Sequence, residues 1–439
     1  MFSLTKHRRT GMFGFLAIIT ILAVLPAVRA DAGRYLVVAA PDYVGTAALN
    51  QFVAAKMAGG YDVTVYSVPV GTAREAIKAS IQSWYVAGEP SFVFLIGDTC
   101  GTTTPSTSAN LPHWTGGGTM SSPTDLPYAC MGAGDDWFPD LYLGRLAIDT
   151  VTELQAYVDK LLFVEAGVFS DPDYIKRAAL LATSDSSAQA VATHNAAIAN
   201  YLDPAGFTST RIYASQGGDT PEVIDAINAG TLLTIYMGHS SHGGWWEPAF
   251  QNQHIPSLNN NGLYGLMLAF SCSSAGIDWF YAECLGETVL REANRGAVTF
   301  IGTTTLLPMG GDMWLPTQRM ESYFLDALLV QNTWQVGPLM QAMLYGLYTD
   351  PDYGPSHSHT RNYYETFILL GDPSLVLPHE QGVIGDLDGD GDVDIADLAQ
   401  LLAHYGMTGA TPADGDLDGD GDVDIADLAA LLANYGTGS

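Results

Sequence analysis

Between Arg34 and Ile301 the chain repeatedly sets a short, almost unbroken apolar run beside a longer amphipathic stretch. The apolar runs at 35–39, 63–68, 92–96, 179–182, 232–237, 266–270 and 298–301 are too short for core helices and too apolar to keep one face in water. They read as strands buried on both sides. Residues 46–58, 72–86, 151–165, 187–202, 221–229 and 284–294 carry helical spacing instead. Strands of this kind can be covered only in a mostly parallel sheet with helices on both faces, an α/β fold. The Gly-, Thr-, Ser- and Pro-rich stretch 101–124 reads as a long loop.

Composition sets the outer limits. Of 439 residues, 47% are hydrophobic and 15% charged, which excludes a disordered chain and leaves material for a large core. The net charge of −30 excludes a basic nucleic-acid footprint and argues against an anionic membrane surface. That charge is uneven: residues 380–439 hold Glu380 and 13 Asp with no Lys or Arg. The end of the chain is therefore a separate module.

Inside it, a fifteen-residue pattern beginning at Gly385 returns at Gly415. Each copy sets Asp at loop positions 1, 3, 5, 9 and 12 and Gly at 6: Asp386, Asp388, Asp390, Asp394, Asp397 with Gly391, then Asp416, Asp418, Asp420, Asp424, Asp427 with Gly421. Alternate carboxylates turned inward suit the six to eight oxygens that Ca²⁺ takes. Asp392 and Asp422, at position 7, would offer backbone carbonyls. So many carboxylates repel one another without a cation, so folding should depend on Ca²⁺. A solvated acidic tail would not explain the placed glycines, nor Leu398, Leu401, Leu402 and Leu428, Leu431, Leu432, which give each loop one following amphipathic helix. One loop plus one helix, duplicated, resembles the type I dockerin, a small all-α calcium-binding module. The resemblance implies two Ca²⁺ sites and a cohesin-type scaffold or cell-surface partner. Ile395-Ala396 and Ile425-Ala426 stand where that family often has a hydroxyl pair.

At the other end, Lys6, Arg8 and Arg9 precede an apolar run at 13–25, and small residues at Val28 and Ala30 frame a cleavage site. This is the pattern of a secretory signal peptide, too short to span a bilayer. No later segment is long and apolar enough to span, so an exported protein is expected. In that compartment Cys100 and Cys130, flanking the long loop, are candidates for a disulfide, with two buried thiols as the alternative. Cys284 reads as a buried thiol.

Two strand ends carry the chemistry. The run ending at Met237 leads into Gly238-His239-Ser240-Ser241-His242, and the run ending at Phe270 leads into Ser271-Cys272. Carboxyl ends of neighbouring parallel strands open into one crevice. There a thiol becomes a strong nucleophile beside an imidazole, which can protonate a leaving amine and then activate water. The N–H of Cys272 and one near His239 could hold an oxyanion. His239 directly follows its strand; His242 is the alternative in a shifted register. A zinc site built from His239, His242 and His254 lacks a Glu at a zinc-motif spacing.

This order of motifs, with 139–146, 285–287, 296–302 and 369–375, resembles the gingipain family of cysteine peptidases in the caspase–legumain clan. The resemblance implies a caspase-like sheet in two subdomains, with Cys272 as nucleophile and His239 as its partner. It also implies cleavage of peptide bonds, after Arg or Lys in the best-known members, with no cofactor needed for that chemistry. Asp125 is the candidate for a third catalytic carboxylate, and Asp136 and Trp245 are candidates for the pocket of a basic side chain, with loop caps or cation ligands as the alternative for the two acids and packing for the indole. The family's Gly-His-Gly is Gly-His-Ser here, and a Ser forced to positive φ at Ser240 would be strained. That departure favours the rival expectation, an inactive scaffold protein whose activity is docking. The expected organisation is a signal peptide (1–30), two α/β subdomains (31–147 and 148–378), a linker (379–384) and the dockerin-like module (385–439).

Overall fold

The computed structural model describes residues 32–99, 107–185, 187–278, 283–307, 314–380, 385–388, 392–411, 414–418 and 420–437. The signal-peptide stretch 1–30, Cys100, Asp390, Gly391 and the linker residues 381–384 lie outside them.

The expected strands form, joined in the main sheet by three (Tyr142–Leu146, Thr208–Tyr213 and Phe367–Leu370) that the apolar pattern does not single out. The N-terminal half holds β1 (Arg34–Ala39), α1 (Ala47–Ala58), β2 (Asp62–Ser67), α2 (Arg74–Trp84), β3 (Ser91–Ile96), a short hairpin of β4 (Trp114–Thr115) and β5 (Pro123–Thr124) inside the long loop, and β6 (Tyr142–Leu146). Next come α3 (Val151–Glu165), β7 (Arg177–Ala182), α4 (Ser187–Ala197), β8 (Thr208–Tyr213), α5 (Thr220–Asn228) and β9 (Leu233–Met237). A ribbon follows, β10 (Ser240–Ser241), β11 (Gly244–Trp246) and β12 (Ala249–Gln251), then β13 (Leu266–Phe270), α6 (Leu285–Arg291) and β14 (Thr299–Thr303). The body closes with α7 (Trp314–Leu329), α8 (Val336–Thr349), α9 (Ser358–Thr366) and β15 (Phe367–Leu370).

One ten-stranded sheet results, in the order β2-β1-β3-β6-β15-β14-β13-β9-β7-β8. The two halves anticipated as subdomains share this sheet. The joint is β15, which runs parallel to β6 and antiparallel to β14. β8 escapes the pattern because its first four residues, Thr208 to Arg211, are all polar on an edge strand, with only Ile212 and Tyr213 buried.

Central strands are buried along their whole length, as in β3, β9, β13 and β14. Burying each large aliphatic side chain contributes about 1.5–3 kcal/mol. Past the inner end of β15, the turn carries Asp372 into the core. Its carboxylate meets Lys56 Nζ at 2.5 Å and accepts from Tyr35 at 2.6 Å. Lys56 also pairs with Glu165. α3 begins with a capping box, Thr150 and Glu153 satisfying each other's backbone N–H.

In the tail, α10 (Ile395–His404) and α11 (Ile425–Asn434) follow the two acidic loops. Val393, Leu401, Val423 and Leu431 form their core. Reciprocal backbone bonds tie the repeats: Gly406 N to Val423 O and Gly436 N to Val393 O, each 2.7 Å. Leu402 and Leu432, expected on the packed face, are half exposed instead.

Candidate active site

β9 and β13 pair in register, Met237 opposite Phe270. His239 and Cys272 each stand two residues beyond that pair, so they leave the sheet side by side at its carboxyl edge. Ser240 Oγ donates to the Cys272 carbonyl and ties the two loops together.

Gly238 is dictated by sterics. A Cβ there would sit 2.4 Å from the Tyr236 hydroxyl, which passes across it to donate to the His239 carbonyl at 2.6 Å. The Trp246 N–H donates to the same carbonyl at 3.0 Å. Ser240 needs no positive φ: it lies in β10, paired with Trp245, and extended backbone suits any residue. The left-handed residue is Ser273, at φ 53°, directly after the cysteine. Its N–H is anchored on Thr305 O at 3.0 Å. A non-glycine held there marks a turn fixed by its surroundings.

Cys272 is 9% exposed, and its Sγ accepts the Leu307 N–H at 3.4 Å. Burial pushes the thiol pKa up, and that N–H only partly offsets the shift. The sulfur is thus a thiol that needs a base. His239 is the imidazole with a carboxylate on its far nitrogen: Nε2 lies 3.3 Å from Asp185 Oδ2. His242 lies against Gly276, where a Cβ would be 2.5 Å from its ring. Burial lowers its pKa, with Asp278 opposing.

Several expected participants stand elsewhere. Asp125 is buried with both oxygens on Arg145, at 2.6 and 2.8 Å, so the carboxylate that meets an imidazole is Asp185 instead. Asp136 accepts from Gly132 N and Phe138 N and so caps its own loop. Trp245 is fully buried, stacked on Tyr236 at 4.6 Å, and walls no pocket; the exposed indole is Trp246. His254 Nδ1 accepts from Gln251 N at 3.0 Å, inside its own turn, and joins no zinc cluster with His239 and His242 among the described residues. Cys130 is a free thiol donating to Leu126 O, and its suggested partner Cys100 lies outside the described residues. Cys284 is the buried thiol expected. The sequence reading missed Asp185, although the acid stands three residues past Ala182, which pairs with Met237.

In the tail, carboxylate oxygens of Asp386, Asp388 and Asp397, and of Asp416, Asp418 and Asp427, lie within 4.8 Å of one another, as do those of Asp392 or Asp422 with Asp394 and Asp397 or Asp424 and Asp427. Asp420 adds an oxygen that accepts from Asp422 N at 3.1 Å. Asp422 Oδ1 is buried with no hydrogen-bond partner. Neighbouring Asp420 pushes the Asp422 pKa up, and desolvation followed by like charges does the same to Asp418. An all-oxygen donor set under mutual repulsion fits a hard divalent cation.

Comparison with known proteins agrees with the fold. A Lys-gingipain of Porphyromonas gingivalis is 26% identical over 374 residues, covering 79% of this chain and 20% of its own length. Gingipain R2 of the same organism is 25% identical over 180 residues, covering 40% of this chain and 24% of its own. The chain thus spans about a fifth of the curated relatives it matches. Among solved structures, the Arg-specific cysteine proteinase gingipain R shares the fold at a TM-score of 0.68 and 22% identity, over 79% of this chain and 78% of that one. The family model of peptidase family C25 matches residues 29–378, the whole ten-stranded sheet with both strand ends, and the chain belongs to that family.

Proposed function

We propose that this protein is a cysteine endopeptidase with Cys272 as nucleophile and His239 as base and acid. The carrying observation is the shared register of the two residues beyond Phe270 and Met237. Nδ1 of His239 takes the thiol proton, while Asp185 on Nε2 fixes the tautomer and steadies the imidazolium. The thiolate attacks the scissile carbonyl carbon, and the N–H of Cys272, with one from the Gly238–His239 turn, holds the oxyanion. His239 returns the proton to the departing amine. It then draws a proton from water, which releases the acyl group from sulfur. Because the thiol sits above its usual range, the imidazole has to accept the proton as sulfur attacks. The names of the relatives, Lys-gingipain and gingipain R, support cleavage after Lys or Arg.

The tail is read as a dockerin-type module. Asp386, Asp388, Asp390, Asp392, Asp394 and Asp397 would hold one Ca²⁺, and Asp416, Asp418, Asp420, Asp422, Asp424 and Asp427 the other. Calcium supplies the positive charge that lets these loops close. Ile395, Leu402, Tyr405 and their equivalents Ile425, Leu432, Tyr435 leave matching apolar residues exposed on the two helices, which supports docking to a cohesin-type partner. The signal pattern at 1–30 supports export, and no helix among the described residues is long and apolar enough to cross a membrane.

The deciding experiment is peptide hydrolysis by the full chain and three variants. Cys272→Ala is expected to lose about 10⁴-fold or more in turnover. His239→Ala should lose about 10²–10⁴-fold, and His242→Ala no more than a few-fold. Undiminished cleavage by Cys272→Ala would overturn the reading, and equal losses at the two histidines would overturn the choice of base.

A further inference from the structure

The imidazole that hands a proton to the leaving amine has the departing half of the substrate on its flank. Whatever stands beside His239, on the side away from Cys272, therefore reads the residues that follow the scissile bond. Three side chains stand there. Trp246 is 53% exposed and its ring lies 6.0 Å from that of His239. Glu247 is exposed, its carboxylate accepting from the Ser184 hydroxyl. Asp185, the next residue after Ser184, holds Nε2 of the imidazole.

Their placement is rigid. The Tyr236 hydroxyl donates to the His239 carbonyl at 2.6 Å and reaches the Glu247 carbonyl at 3.4 Å. Trp245, buried and stacked on Tyr236 at 4.6 Å, fixes the ribbon from beneath, so the next residue turns its indole to solvent. Among the described residues neither Glu247 nor Asp185 has a Lys or Arg partner. An exposed carboxylate beside an exposed indole, with no cation of its own, suits a cationic side chain that can stack and pair at once. The acidic balance of the chain draws such peptides in.

We propose that Trp246 and Glu247 form a leaving-side subsite that selects substrates carrying Lys or Arg within the first two residues after the scissile bond. This rests on the peptidase reading and adds to it a specificity on the opposite side of the cut from the one the relatives' names describe. An exposed ion pair and an exposed cation–π contact are each weak in water and favour a cationic side chain only a few-fold apiece. Together they predict about a five- to tenfold preference.

The test uses the full chain and internally quenched peptides that carry Lys, Arg or Gln before the scissile bond and Lys, Gln or Glu in turn at the first and second leaving-side positions, with the bond that is cut identified from the product masses. The measured quantity is the ratio of kcat/KM for Lys over Glu within each enzyme, so that losses of folding or overall activity cancel. The parent should favour Lys about five- to tenfold, less so at high salt. Glu247→Gln should bring the ratio towards one, Glu247→Lys should invert it, and Trp246→Ala should lower it. A parent that cleaves these peptides through Cys272 with a flat ratio overturns the subsite and leaves the peptidase reading standing. So does a Glu247→Lys enzyme whose preference changes only before the scissile bond. A parent that cleaves none of them, whatever residue precedes the bond, overturns both.

Discussion

The body and the tail handle charge in opposite ways. In the body each buried carboxylate has its counter-charge on the chain: Asp125 with Arg145, Asp372 with Lys56, Glu321 with His194. Such pairs cost desolvation but leave nothing for an outside ion to neutralise. The two acidic loops of the tail have carboxylates within 4.8 Å of one another and no Lys or Arg anywhere beyond residue 379. Their core is four buried aliphatic residues. The body meets its buried carboxylates from within the chain, whereas the two acidic loops do not, and this difference is what the proposed calcium sites answer.

The largest effect should come from opening one of the body's pairs. Asp372→Ala leaves Lys56 with Glu165 alone and takes the acceptor from the Tyr35 hydroxyl. Breaking a buried pair on one side costs about 3–5 kcal/mol. Urea unfolding should show that loss in the body's transition with the tail's unchanged. A shift below 1 kcal/mol would mean that the network is dispensable, and the contrast would fail on the body's side.

Calcium withdrawal attacks the other side. At free Ca²⁺ a hundredfold above Kd, each site adds about 2.7 kcal/mol. Chelation should therefore melt α10 and α11, seen as lost helical dichroism that returns on adding Ca²⁺, while the body's unfolding midpoint stays put. A tail that keeps its helices in chelator would show that its small core suffices without a cation.

The same contrast explains what could be read in advance. Cys272 and His239 were legible because a parallel sheet delivers its strand ends to one edge, and strands that are apolar throughout announce themselves. The clustering of the tail's carboxylates was legible because position within a dozen residues is local information. The fate of a polar group that meets a distant partner was not. Asp125 looks like a catalytic acid until Arg145, on a strand twenty residues later, takes both its oxygens. The adjacent indoles were decidable in principle, since neighbours on a strand face opposite ways; the packing of Trp245 on Tyr236 settles which one is inside. Leu402 and Leu432 misled because a helix packed on one small partner buries a narrower stripe than a full amphipathic face.

The smallest predicted effect is a difference in sign with pH. In the tail, Asp397 and Asp427 lie below the usual carboxylate range: burial opposes this, but backbone N–H donors around each carboxylate outweigh it. A depressed carboxyl contributes stability above its unfolded pKa, about 4, and loses it as pH falls through the folded value. Protons also compete with Ca²⁺ for the same oxygens. In the body, His194 of α4 has its Nδ1 2.8 Å from Glu321 of α7. Burial alone would lower its pKa, yet Glu321 raises it above the usual value. A raised histidine contributes stability below its unfolded pKa, about 6.5, and loses it as pH climbs through the folded value. Thermal scans in calcium should therefore show the tail weakening as pH falls below about 4 and the body weakening as pH climbs above about 6.5. His194→Gln should flatten the body's alkaline decline while leaving the tail's acid decline as it was. If both transitions fell on the same side of neutrality, the carboxylates of the two regions would not differ in the way their partners require.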